Sequence, residues 1–263
     1  MMSVVTTQTE MMAAPRAVPP ARPRIFTLRR FTTPIVVVVI LGLLLAWVLS
    51  LELDSIEQRT LNWEYITRRV GEHLSLTVVA SALVAVLAIP VGIATAKSPS
   101  KIVRAVVLAI ANIGQATPAV GVVILLAIVW QTGYTTALVA LVIYAFLPVL
   151  RNTMVGIEQV DASVRESARG MGMTPLQVLL RIELPLAVPV ILAGLRTALV
   201  FCVGVATIAT FINAGGLGDM IVNGLKLQRF PVLAVGAVLV ACIALLIDWV
   251  AGFVEDIVTP RGL

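Results

Sequence analysis

Six apolar runs, at about 34–51, 74–96, 102–130, 135–150, 186–212 and 231–253, alternate with polar segments along the chain. A membrane-crossing helix needs about 20 predominantly apolar residues. The pattern therefore predicts an all-α, polytopic membrane protein with about six transmembrane helices. The run 102–130 is too long for one straight helix and contains Pro118. A kinked or broken span is expected there, with freed backbone groups facing protein or a cavity rather than lipid. The run 135–150 is short and extends through Pro148 toward Thr153. Residues 1–33 have no hydrophobic period, and Pro15, Pro19, Pro20 and Pro23 disfavour a helix, so a disordered cytoplasmic tail is expected. The next run lies too far along the chain for a secretory signal and reads as a retained anchor helix over 34–51. An external segment at 52–73, a membrane domain over 74–253 and a cytoplasmic tail at 254–263 complete the division.

Composition supports lipid as the solvent. The 263 residues are 59% hydrophobic and 13% charged, with a mean hydropathy of +1.03. A soluble domain of that length could not hide so much apolar surface. The net charge of +5 and pI near 9.8 do not point to nucleic acid, because the basic residues sit beside the ends of the apolar runs and form no continuous patch. With the N-terminus inside, Arg16, Arg22, Arg24, Arg29, Arg30, Lys97, Lys101, Arg104, Arg151, Arg165, Arg169, Arg181 and Arg261 fall on the cytoplasmic side. Only Arg59, Arg68, Arg69, Lys226 and Arg229 fall outside. That bias puts both termini and the loop at 154–185 in the cytoplasm. The external segment, with Glu52, Asp54, Glu57, Glu64 and Glu72, is acidic on balance and agrees. Cys202 and Cys242 lie within apolar runs and read as small buried hydrophobes. A single histidine, His73 at the outer boundary of the second span, cannot build a metal site. Neither metal nor cofactor is expected.

The loop between the fourth and fifth runs is written as two short helices. Asp161 or Ser163 can cap the first, and Ser163 with Glu166 has the spacing of a capping box. Gly172 suits the left-handed turn that ends it. Thr174 followed by Pro175 reads as an N-cap and first helical residue, opening a second helix to about Arg181. Pro185 and Pro189 then separate that helix from the next span or form its first turn. Met171, Met173, Leu176, Val178, Leu179 and Leu180 give the pair an apolar surface. Physical reasoning leaves two fates open for it, docking on a partner or lying among lipid headgroups.

The same residues resemble the signature of ATP-binding-cassette importer permeases. That signature runs E-A-A, three residues, G, nine residues, I, one residue, L-P. Here Glu166-Ser167-Ala168, Gly172, Ile182 and Leu184-Pro185 keep every spacing, and serine at 167 is the one departure. The wider resemblance, over about 70–255, is to the MetI-like type I permeases of binding-protein-dependent transport. Within them it is most similar to the osmoprotectant permeases for glycine betaine, carnitine and choline. It is carried by Gly71-Glu72-His73-Leu74-Ser75-Leu76-Thr77, Leu147 to Thr153, Val155 to Asp161, and Gly215-Gly216-Leu217-Gly218. The resemblance implies a five-helix core plus an N-terminal helix, in the bacterial cytoplasmic membrane. It also implies a second permease subunit, identical or related, two cytosolic ATPase subunits and an external solute-binding protein. Asp161, Glu166, Ser167, Ala168, Gly172, Ile182, Leu184 and Pro185 would then couple the spans to the ATPase.

Other residues bear on the path and on competing functions. Pro118, Trp130, Tyr144 and Arg196 are candidates for the translocation path. Arg196 lies well inside the fifth run, where a charge snorkels to the interface or pairs with a carbonyl or with Asp248. The glycine-rich stretch with Gly215, Gly216 and Gly218 lacks the lysine and Ser/Thr of a phosphate loop and reads as a tight external turn on which the binding protein rests. No ATPase motif occurs, so the chain is expected not to be an enzyme and hydrolysis falls to a partner. Two alternatives carry weight: an importer permease for another small solute such as an amino acid, and an ion-coupled secondary transporter. The second usually places acidic groups in mid-membrane, and here only Asp248 lies within a run, near its inner end. An intramembrane enzyme is weaker still, since no Ser-His, His-Glu-x-x-His or paired-aspartate arrangement falls within the runs.

Overall fold

Helices α3 (Trp63–Lys97), α6 (Tyr134–Glu158) and α9 (Leu184–Ala206) pack side by side to form the centre of the molecule. The computed structural model describes residues 31–258, and from Thr33 onward they belong to one compact unit. The expected tail at 1–33 lies almost wholly outside the described residues, as do the last five positions. The remaining elements are α1 (Thr32–Leu49), α2 (Ser55–Thr60), α4 (Lys101–Ala116), α5 (Ala119–Val129), α7 (Ala162–Gly170), α8 (Pro175–Val178), α10 (Gly218–Lys226) and α11 (Phe230–Val258). No strand occurs among the described residues. Five helical stretches are long and apolar enough to cross a membrane, and α4 with α5 makes a sixth if the bent pair counts as one span.

Small residues set the central spacing. Ala80 and Ala88 of α3, Ala137, Ala140 and Ala145 of α6, and Ala198 and Ala206 of α9 are all fully buried in one cluster. Lipid offers apolar surface as readily as another helix does, so membrane helices associate by close packing of small side chains. Gly194 shows how close: a Cβ there would lie 2.6 Å from the Cβ of Asn152 and 3.1 Å from the carbonyl oxygen of Pro148. Buried Thr77 and Thr95 return their hydroxyls to the helix that carries them, Thr77 donating to the carbonyl of His73 at 2.9 Å and Thr95 to that of Val91 at 2.7 Å. At the opposite extreme, α1 is apolar all round and mostly exposed, the pattern of a helix that faces lipid.

Several boundaries differ from the hydrophobic runs. The second helix begins at Trp63 rather than near 74, capped by Asn62, whose side chain accepts from the Tyr65 amide. Its first turns are polar and project beyond the apolar run. The third run breaks after Ala116, and α5 leaves α4 at 96° with Pro118 as its N-cap. The fourth continues through Pro148 to Glu158. The last helix extends to Val258, so 254–258 is helical where a tail was expected.

Candidate functional site

The polar loop forms a bent helix pair at one end of the bundle. The α7 N-cap is Asp161, whose Oδ1 accepts from the Ser163 amide at 2.8 Å. The Ser163–Glu166 capping box expected from spacing does not form; the helix starts at Ala162, so Ser163 already lies inside it and Asp161 is the cap. Hydrogen bonds from the Ser163 amide and then the Ser163 hydroxyl hold the Asp161 carboxyl below the usual carboxylate range, and Arg165 adds to the effect. Helix α7 ends in a turn with Gly172 at φ +82°, where the Gly172 amide donates to Arg169 and the Met173 amide to Ala168. Then Thr174 opens α8 through a complete capping box: it accepts from the Gln177 amide, and Gln177 Oε1 accepts from the Thr174 amide.

Beyond α8 the expectation of a helix ending near Arg181 needs correction. The chain passes from α8 through a π-helical turn, Leu179–Glu183, straight into α9, with Pro185 in the first turn. Proline at that position lacks only a donor the first turn does not use. Glu166 and Ser167 lie exposed on α7, and Ala168 is buried beneath them. Ile182 and Pro185 are close to the surface or half-buried, and Leu184 packs with Ile157, Ala187 and Ile191.

One residue in this segment stands apart. Glu183 is 0% exposed. Its Oε2 contacts Lys97 Nζ, on the last turn of α3, and its Oε1 lies 4.0 Å from Arg165 Nη1, on α7. The sequence pattern leaves position 183 unspecified, between Ile182 and Leu184, and Lys97 had only topological meaning. A lone carboxylate between apolar neighbours was the one available signal. The same end carries Arg104 paired with Glu158 at 2.6 Å and Arg151 donating to Asn112 at 2.8 Å, both joining α4 to α6.

The opposite end holds a second polar cluster. His73 is fully buried, with Nε2 3.1 Å from the carbonyl of Val203. Gly215 and Gly216 have φ of +82° and +89°, and the Gly216 amide donates to Glu72 Oε2 at 2.9 Å. Gly218 sits so near the carbonyl of Thr207 that no side chain could fit there. Asp219 then accepts from Tyr65 at 2.8 Å and from Arg69 at 2.5 Å, tying α10 to the polar turns of α3. Those polar turns are helical because α10 gives them partners, a tertiary effect the hydrophobic pattern does not register.

The path candidates do not converge on one place. Arg196 binds Asp248 in a two-pronged pair at 2.5 and 2.6 Å, with Glu255 at 3.7 Å. Of the alternatives for Arg196, pairing with Asp248 is the one adopted. The two line an open pocket of about 270 Å³ with Thr197, Val200 and Phe201, and none of Pro118, Trp130 or Tyr144 lines it. Tyr144 is buried in α6, whereas Trp130, at the end of α5, is exposed. Asp248 is the one carboxylate within the apolar runs; Glu72, Glu158 and Glu255 lie where the long helices extend beyond those runs and Glu183 in the π-helical turn, each with a basic partner. Among the described residues, no group of three or more His, Cys, Asp or Glu is placed to hold a metal.

A helical membrane bundle with a capped, spacing-preserved helix pair at one end is the architecture of an importer permease. The chain belongs to the family of binding-protein-dependent transport system inner membrane components, whose model matches residues 88–261. Members are permease subunits of ATP-binding-cassette importers, in which the ATPase is a separate subunit. The chain is 39% identical, over 74% of its length and 89% of the relative's, to the glycine betaine/carnitine/choline transport system permease protein OpuCB of Bacillus subtilis. It is 40% identical to the carnitine transport permease protein OpuCD of Listeria monocytogenes, over 76% of this chain and 89% of that one. To the osmoprotectant import permease protein OsmY of Salmonella typhimurium it is 36% identical, over 80% and 88%. Among solved structures, a chain of the MetNI methionine transporter in an inward-facing conformation superposes with a TM-score of 0.66, at 24% identity, over 74% of this chain and 96% of that one. The last likeness is one of fold.

Proposed function

We propose that this chain is the permease subunit of an importer for glycine betaine or related quaternary amines. The observation that carries the reading is the segment 161–185: its family spacing is intact, and it folds as a capped helix pair that exposes Glu166 and Ser167 at one end of the bundle. The relatives named for glycine betaine, carnitine and choline support the substrate class. In this reading α7 enters a cleft on a cytosolic ATPase. Closure of two ATPases draws two such helices together and rocks the spans between inward- and outward-open states. The chain itself catalyses nothing.

The orientation follows from the charge bias: both termini and α7 lie in the cytoplasm, and α2, α10 and the Gly215–Gly218 turn lie outside, where a solute-binding protein rests. A second permease subunit, identical or related, completes the path. Arg196 and its pocket are assigned to that path, whereas Trp130, Tyr144 and Pro118 contribute shape. Selection of substrate rests on the binding protein, because no cage of aromatic side chains, which quaternary ammonium groups favour, lines the described pocket.

The test is reconstitution of the chain into vesicles with a cognate ATPase and solute-binding protein. ATP-dependent accumulation of labelled glycine betaine, choline or carnitine is the expected result. Accumulation of amino acids instead would overturn the substrate class and leave the permease. Uptake that needs an ion gradient but no ATPase would overturn both.

A further inference from the structure

The polar group least explained by docking on an ATPase is Glu183. It lies within the membrane bundle's end rather than on its surface, fully buried, in the π-helical turn between α8 and α9. Burying a carboxylate is costly unless cations compensate it. Two do, and they come from different elements: Lys97 from the end of α3 and Arg165 from α7. The contacts are unequal. Lys97 touches Oε2 as an ion pair, whereas Arg165 stands at 4.0 Å from Oε1; both oxygens are buried and neither receives a hydrogen bond. A charge-assisted N–H···O bond closes at about 2.8 Å, so a shift of α7 by roughly 1.2 Å would complete it.

A π-helical turn is a weak point in a helix and often lies at functional sites. The one here would let α7 and α8 pivot without moving α9. Glu183 opposes that pivot by fastening the turn to α3, which packs along both α6 and α9.

We propose that Glu183 is the strut through which motion of α7 reaches the spans, by way of Arg165 on one side and Lys97 on the other. This rests on the reading that α7 couples to an ATPase. Glu183 is a positioning residue: it neither contacts the substrate nor the nucleotide. When the ATPase pulls α7, the Arg165–Glu183 bond closes and the pull is delivered to α3 rather than absorbed at the turn. The charge is essential, because an uncharged amide of the same size would pack equally well but hold the two cations only through weaker hydrogen bonds to one neutral oxygen.

The experiment uses the whole importer in vesicles and measures solute accumulated per ATP hydrolysed. Glu183→Gln is expected to lower that ratio about 2- to 30-fold, the range by which residues on a coupling route act, while hydrolysis continues. Glu183→Asp and Lys97→Arg, which keep the charges, retain most of it. A packing role predicts the reverse order, with glutamine at least as good as aspartate. Arg165→Met leaves the Lys97–Glu183 pair in place and decides the matter if Glu183→Gln fails to insert; it too should lower the ratio. A second readout needs no substrate. Spin labels at Ser163→Cys and Lys101→Cys, with Cys202 and Cys242 replaced by alanine, should give a narrow distance distribution that broadens in Glu183→Gln and in Arg165→Met. An unchanged ratio and an unchanged distribution in these variants overturn the proposal. Absence of ATP-driven uptake by the unsubstituted importer would defeat the coupling reading instead, and the distance distribution alone would then decide whether Glu183 fastens α7.

Discussion

Replacing Gly172 isolates the shape of the turn between α7 and α8 from packing within the chain. A Cβ built at this position meets nothing within 4 Å, so no steric clash enters. The backbone, however, has φ +82°, where an L side chain is strained. The cost of that region for an ordinary residue is about 1–2 kcal/mol, which corresponds to about 5- to 30-fold in the population of the turn at RT near 0.59 kcal/mol. Asparagine tolerates the region better than alanine, and a β-branched residue tolerates it worst. Uptake by the reconstituted importer should therefore fall in the order Gly, Asn, Ala, Val, with insertion and the size-exclusion profile unchanged. Full uptake by Gly172→Val would refute the argument, since within the chain the added side chain meets nothing and alters backbone shape alone.

Other expectations follow from packing and from charge. Gly194→Leu would drive a side chain into Asn152 and the Pro148 carbonyl, where even a Cβ lies at 2.6 Å. Overpacking costs about 1–3 kcal/mol, and the detergent-solubilised protein should aggregate at a lower temperature in a fluorescence size-exclusion assay. Gly218→Ala meets the Thr207 carbonyl and should destabilise in the same assay, whereas Gly42→Ala, with nothing nearby, should not. Asp161 has a lowered pKa in the folded chain because the Ser163 amide stabilises its charge. Its contribution to α7 is therefore present above the ordinary carboxylate value of 3.8 and is lost as pH falls through the lowered one. Mobility of a spin label at position 163 should stay flat through neutral and mildly acidic pH and rise only below that range, and Asp161→Asn should remove most of the dependence.

Much of this architecture can be read from the chain because membrane helices announce themselves by long apolar runs. The break at Pro118 is legible for the same reason: proline cannot donate, and the run was too long for one helix. Thr174-Pro175 and Gly172 are legible because caps and left-handed turns are local, decided within a few residues. What escapes is set by partners distant in sequence. The polar turns at 63–73 become helix because Asp219 and Gly216 meet Tyr65, Arg69 and Glu72. His73 is buried by the same glycine loop. Asp161 and Ser163 both satisfy the local capping pattern, and only the folded turn shows that Asp161 is the cap. Glu183 occupies a position the motif leaves open, and its meaning comes from Lys97 at the end of another helix and Arg165 on α7.

The central claim is that the segment 161–185 joins an ATPase to the spans. Its most direct measurement is ATP-dependent uptake by the importer carrying Glu166→Lys, an exposed position on α7 whose reversal leaves the bundle's packing untouched. The account predicts a correctly inserted permease that no longer accumulates solute when ATP is supplied. Uptake at the unsubstituted level would contradict it.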